Sequence, residues 1–167
     1  VSARRVAAGA LLATLALATP LLAAATTSVN LPAKLAPEVA RARTAGAAVL
    51  IPASIPADVA ASRLYASGGA TTTGYDIQLA YAPGCMDATA CFFAEFQAGR
   101  QLLLSGTRVA LHRAISGRFE PIRCGASCAP ASIGWQEGGV RYNIQYVAGD
   151  RASMVALADS AIDGGPR

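Results

Sequence analysis

Histidine, lysine and tryptophan are nearly missing from this 167-residue chain, which holds one of each: His112, Lys34 and Trp135. A lone histidine with no Cys, Asp or Glu pattern beside it in sequence reads as a surface residue rather than a ligand or general base. Charged residues make up only 14% and are scattered. No long charge run, internal repeat or splitting linker is visible, and no phosphate-binding glycine loop is present. The four cysteines include no C-x-x-C pair and no surrounding βαβ pattern, which removes the usual frame of a thiol oxidoreductase.

Long apolar runs are also missing, except at the start. Arg4 and Arg5 precede an apolar stretch from Val6 to Leu22, and Ala23-Ala24-Ala25 offers a small-x-small cleavage site before Thr26. Residues 1–25 are therefore read as a secretory signal peptide, with an earlier cut after Ala18 as a variant and an uncleaved anchor as the rival. Pro20, near the end of the run, suits a signal better than a long anchor. The full chain carries 14 basic and 10 acidic residues, a net charge of +4. Without Arg4 and Arg5 the balance is 12 against 10, or +2, so a nucleic-acid partner loses its electrostatic basis. The expected product is an exported protein, secreted or held at the periplasm or cell envelope, with no membrane span after cleavage.

All four cysteines, Cys85, Cys91, Cys124 and Cys128, follow the leader. An even count behind a signal peptide points to disulfides. The local pairings Cys85–Cys91 and Cys124–Cys128 are favoured by proximity. Each would close a short loop worth about 2 kcal/mol, whereas cross-pairing between the clusters would be worth about 4 kcal/mol if geometry allowed it. A zinc site from all four would need C-x5-C and C-x3-C spacing, unlike paired C-x2-C knuckles. No metal or other cofactor is expected.

The organising stretch runs from Cys124 to Val147. A cystine-closed loop leads into Ser132–Gln136 with the only tryptophan, then the turn Glu137-Gly138-Gly139, then a run in which Val140, Tyr142, Ile144 and Tyr146 share one strand face. Residues 26–36 lack pattern and read as extended or mobile. Pro37 to Arg43 can start a short helix that Gly46 ends. Residues 47–51 read as a buried strand and 62–66 as a second, before a turn at Ser67-Gly68-Gly69. Tyr75, Ile77, Leu79 and Tyr81 alternate cleanly, and Phe92, Ala94 and Phe96 form a face opposite Phe93, Glu95 and Gln97. Residues 108–114 and 118–122 read as two further strands, with His112 inside the first. Asp150 is placed to cap a last helix whose apolar stripe is Met154, Leu157, Ala158, Ala161 and Ile162, ended by Gly164-Gly165-Pro166. The expected fold is α+β: an antiparallel β-sheet meander with the C-terminal α-helix packed on one face and a short N-terminal helix. Residues 26–46 would form an N-terminal segment, 47–163 one α+β domain and 164–167 a tail.

The pattern Cys124-Gly125-x-Ser127-Cys128-x-Pro130, then Ile133-x-Trp135, Gly139-Val140-x-Tyr142-x-Ile144 and Ser160-Ala161-Ile162 resembles a set of small uncharacterised secreted bacterial proteins. Leu50-Ile51-Pro52, Ile55-Pro56 and Tyr75-x-Ile77-x-Leu79 fit the same picture. The hairpin and final helix are more distantly similar to the extracytoplasmic domain of some anti-sigma-factor and sporulation proteins. The resemblance implies a fold and a compartment; it brings no catalytic residues.

Reactive constellations are few. Gly125-Ala126-Ser127-Cys128-Ala129 has the outline of a nucleophile elbow, but Pro130 follows and no helix does. Asp76, Asp87, Glu95, Glu120 and Glu137 are scattered, and a hydrolase would need two of them to meet in space. Arg108, Arg113, Arg118, Arg123 and Arg141 gather around the later strands and could form a patch for carboxylate or phosphate. The expected activity is that of a non-catalytic binding or envelope-associated protein, its partner an anionic envelope component or a protein. The alternatives are a carrier of apolar ligands and a secreted hydrolase.

Overall fold

The alternation from Val140 to Tyr146 becomes a strand at the middle of the molecule. The computed structural model describes residues 27–85 and 89–167, so the expected leader at 1–25 and the carboxylate Asp87 lie outside the described residues. In chain order the elements are β1 (Thr27–Asn30), α1 (Leu31–Lys34), α2 (Ala36–Thr44), β2 (Ser54–Ala57), β3 (Tyr65–Thr71), β4 (Gly74–Ala80), β5 (Phe92–Gly99), β6 (Thr107–Ala110), β7 (Ser116–Glu120), β8 (Arg123–Cys124), β9 (Cys128–Ala129), β10 (Ala131–Glu137), β11 (Val140–Tyr146) and α3 (Arg151–Gly164).

Seven strands form one antiparallel sheet in the order β3-β4-β5-β11-β10-β7-β6. It is built as two meanders. β3, β4 and β5 follow one another; the chain then crosses to the far edge and returns through β6, β7 and β10, so that β11 closes beside β5. Gly138 and Gly139 make the two-residue turn of the last hairpin, both at positive φ (58° and 79°), where glycine has no Cβ to clash. The α+β architecture expected above is the one that forms.

Register explains the core. Ile77, Phe96, Ile144, Ile133 and Phe119 are successive cross-strand partners, so one apolar row runs across five strands. The helix α3 packs Met154, Leu157, Ala158, Ala161 and Ile162 toward this face, against β10 and β11, while α2 covers β3 and β4. Asp150 caps α3 as its sequence position predicts: its carboxylate accepts from the Ser153 backbone N–H at 2.7 Å, and Ser153 Oγ accepts from the Asp150 N–H at 3.0 Å.

Several local expectations are corrected. Residues 27–35 are ordered as β1, paired with β2, and α1, with Val29, Leu31 and Leu35 buried. A four-residue strand passing into a four-residue helix is too short to show a period. The run at 47–51 lies in no sheet, and within it Val49, Leu50 and Ile51 are buried. It avoids orphaned backbone groups by another route: the Tyr75 hydroxyl donates to the Leu50 carbonyl at 2.8 Å and accepts from the Leu50 N–H at 3.1 Å, while Val49 O accepts from Arg167 N–H. Ala61–Arg63 is a 3-10 turn, and β3 passes straight through Ser67-Gly68-Gly69. A Cβ on Gly68 would collide with the Asp76 carbonyl, so this glycine serves close strand approach, not a turn.

Two more corrections bear on side-chain direction. A bulge opposite Leu79 and Ala80 leaves Phe93 without a cross-strand partner: Phe92 pairs with Ala80 and Ala94 with Leu79. Phe93 therefore turns into the core, edge-on to Tyr81 and Tyr146, and Phe92 is only half-buried. The strand expected at 108–114 stops at Ala110. His112–Ala114 is a 3-10 turn with Arg113 and Ala114 at φ 54° and 57°, and β7 runs from Ser116 to Glu120. Cys85 stands with Cys91, and Cys124 with Cys128, at disulfide distance, which is the local pairing.

Candidate functional site

With one face of the sheet covered by helices, the other carries the polar members of each alternation. Cross-strand pairing sets them in rows. One row is Glu120, Ser132, Gln145, Glu95 and Gln78; the next is Arg118, Gly134, Asn143, Gln97 and Asp76. The amides are held by one another and by carboxylates: Gln145 Nε2 donates to Glu95 at 2.8 Å, Gln97 Nε2 to Asp76 at 3.1 Å and Asn143 Nδ2 to Gln97 Oε1 at 3.4 Å. Such a ladder fixes side-chain rotamers ahead of any contact.

Two loops rise over this floor. The crossover from β5 to β6, residues 100–106, lies across it as a strap. Arg141 Nη1 donates to the Leu102 carbonyl at 2.9 Å, and Arg118 Nη1 to the Gly106 carbonyl at 3.1 Å. Gly134 makes room for it, since a Cβ there would meet Leu104 Cδ2 at 2.5 Å. Ser105 bonds to Glu120, which also pairs with Arg123. The second cystine loop, with β8 and β9, forms the opposite wall.

A groove with two hollows begins between strap and cystine loop and extends along that loop beyond the strap, which borders only the first hollow. One, about 260 Å³, is bounded by Ser105, Glu120, Arg123, Ser132 and Asn143. The other, about 230 Å³, is bounded by Gln78, Phe92, Glu95, Ile122 and Val147. Ala129, Pro130 and Gln145 border both, so the hollows adjoin. A wider hollow of about 770 Å³ lies on the other side of the strap, over Gly69–Asp76 and Ala98–Leu102.

The five arginines do not gather at one point. Arg108 and Arg118 are cross-strand neighbours on β6 and β7. Arg123 is paired with Glu120, Arg141 is spent on the strap, and Arg113 reaches toward Asp163 of α3 at 3.9 Å. Ser127 lies exposed in the tight loop between β8 and β9, and a strand rather than a helix follows it, so no nucleophile elbow forms. Glu95 and Glu120 share one row but stand three strands apart, about 14 Å at the usual strand spacing. Glycosidase pairs need roughly 5–9.5 Å. Asp76 is engaged with Gln97, and Glu137 lies at the tip of the last hairpin.

The sequence reading passed over two features. His112 is not solitary: its Nδ1 lies 2.7 Å from Asp163, its Nε2 3.5 Å from Asp159, and its backbone N–H donates to Asp159 at 2.7 Å. These partners are 47 and 51 residues away, beyond any local pattern. The hydrogen bond that His112 gives to the Asp163 carboxylate and the charge of Asp159 raise the imidazole pKa above its ordinary value. The second feature is the amide floor. Its signal was present as Asp76-x-Gln78, Glu95-x-Gln97 and Asn143-x-Gln145 at alternate positions, overshadowed by the apolar partners. Among the described residues no group of three or more His, Cys, Asp or Glu could hold a metal ion, and no helix is long and apolar enough to cross a membrane. Set against known protein families, curated proteins and solved structures, the chain matches none.

Proposed function

We propose that the chain is an exported, non-catalytic binding domain that engages a component of the cell envelope through the groove between the strap and the second cystine loop. One observation carries the reading: a pre-ordered set of amides lies between two walls on the broad sheet face opposite the helices. Binding sites combine such fixed polar groups with apolar walls, and here Phe92, Ile122 and Val147 supply the walls. Export is supported by the leader pattern and by four cysteines standing as two pairs. The resemblance to small secreted bacterial proteins points the same way. The aromatic strand face that motivates a lipid carrier is filled: Trp135, Tyr142 and Tyr146 are buried in the core beneath α3.

Retention of the purified mature chain on cell-wall, lipid and protein fractions tests the proposal. One fraction should hold it, and Ser132→Arg, which places a bulky side chain in the groove, should cut retention by roughly tenfold, the loss of about one well-made contact. Failure to bind any fraction would sink the reading; equal retention of the variant would move binding off the groove.

A further inference from the structure

Gln78 is the anomaly of the outer face. It is 4% exposed, one of two buried polar residues among those described. It lines the 230 Å³ hollow between Glu95 and the apolar wall. A side-chain amide lining such a hollow can both donate to and accept from a ligand. A second observation is independent of the first. Four large apolar side chains are exposed among the described residues; two of them, Ile122 and Val147, line this hollow, and a third, Leu103, lines the adjoining one. Exposed apolar groups gathered round a polar cavity mark a binding site.

We infer that the hollow at Gln78 receives the acetamido group of an N-acetylated sugar in a surface glycan. The inference rests on the groove reading above and specifies its ligand. An acetamido group has a carbonyl, an N–H on the opposite side and a methyl. Gln78 Nε2 donates to the carbonyl. Gln145 Oε1 accepts the N–H, because Gln145 Nε2 is already given to Glu95. The methyl lies against Phe92, Ile122 and Val147. Among the described residues no basic one lines this hollow and Glu95 does, so carboxylate or phosphate is disfavoured there. The adjoining hollow, with Ser105, Ser132, Asn143 and an Arg123 neutralised by Glu120, suits the hydroxyls of the next sugar. An extended peptide is the poorer fit. Peptides commonly add to sheets along an open edge through backbone hydrogen bonds. This floor lies on the face of β4, β5, β11 and β10, whose inner backbone groups are already paired.

Calorimetric titration of the mature chain with a chitin oligosaccharide and with the cellulose oligosaccharide of equal length tests this, since the two differ only at the acetamido position. Saturable binding to the chitin oligosaccharide, with the cellulose one weaker by about tenfold or more, is expected. Gln78→Leu should lose a similar factor while keeping the wild-type circular dichroism. Should that variant fail to fold, Val147→Glu, at an exposed rim position, should produce the loss instead. Equal affinity for the two oligosaccharides, binding unchanged in the folded variants, or no saturable binding to either would overturn the inference. If the chain is held by the cell-wall fraction in a manner lost in Ser132→Arg, yet free peptide fragments and not chitin oligosaccharides release it, the groove stands and the acetamido assignment falls.

Discussion

Tyr75 is the residue on which the N-terminal half depends. Its ring sits among core side chains, and its hydroxyl is both donor and acceptor to Leu50, in a segment with no strand partner. Burial pushes the phenol pKa well up, so the group stays a neutral two-way partner. Tyr75→Phe keeps the ring but orphans one N–H and one carbonyl. At about 1–3 kcal/mol for each buried group, the loss should be roughly 2–6 kcal/mol, read as a lower midpoint in urea unfolding with little change in slope. A change within a few tenths of a kcal/mol would mean that Leu50 finds other partners. The alternation Tyr75-x-Ile77-x-Leu79 displays the inward direction of this tyrosine. Its bond to Leu50, 25 residues away, is set by tertiary packing and leaves no local mark.

At the scale of elements, α3 was legible from one end to the other, because its signals are local: an Asp cap, an apolar stripe at helical spacing and glycines at the end. What sequence periodicity misses is its attachment. His112 and Arg113, in the turn after β6, meet Asp159 and Asp163 near the end of α3, where cations also complement the helix dipole. The two ends of the helix respond to pH in opposite directions. His112 has a raised folded pKa, so its contribution is complete below its ordinary value of 6.5 and is lost as pH rises through the folded value. Asp150 has a lowered folded pKa through its bonds to Ser153, so its contribution is complete above its ordinary 3.8 and is lost as pH falls through the folded value. Docking of α3 should be strongest between about pH 4 and 6.5. Thermal melts of the wild type and His112→Gln should differ below about pH 6.5 and converge as pH rises above it, with a smaller difference at high salt because His112 is exposed. A difference constant on both sides of that pH would remove the ion cluster as the cause. The same physics explains the misplaced strand at 108–114: the pattern continues past Ala110, but the chain turns at positive φ to bring His112 to α3.

For the molecule as a whole, the sheet and its helix follow from binary patterning, while strand order does not. Nothing local shows that β11 pairs with β5 or that residues 100–106 must cross the outer face; both follow from closing two meanders into one sheet. The groove is a product of that crossing, which is why alternate amides could be read along the strands but not assembled into a floor. The compartment bears on the same feature, because the second cystine loop is one of the groove's two walls. If the chain is exported as proposed, it reaches an oxidising compartment in which Cys124–Cys128 and Cys85–Cys91 would form and persist. Non-reducing peptide mass spectrometry on protein from culture fluid and envelope should find an N-terminus at Thr26 and two linked peptides, each joining neighbouring cysteines. Reduction should then loosen the wall formed by β8 and β9 and weaken retention on the envelope fraction, while the sheet's circular dichroism persists, since both cystines lie outside the seven strands. An intact leader with four free thiols would overturn the exported reading. Cross-linked clusters would contradict the local pairing, and undiminished retention after reduction would show that the groove does not depend on the cystine loop.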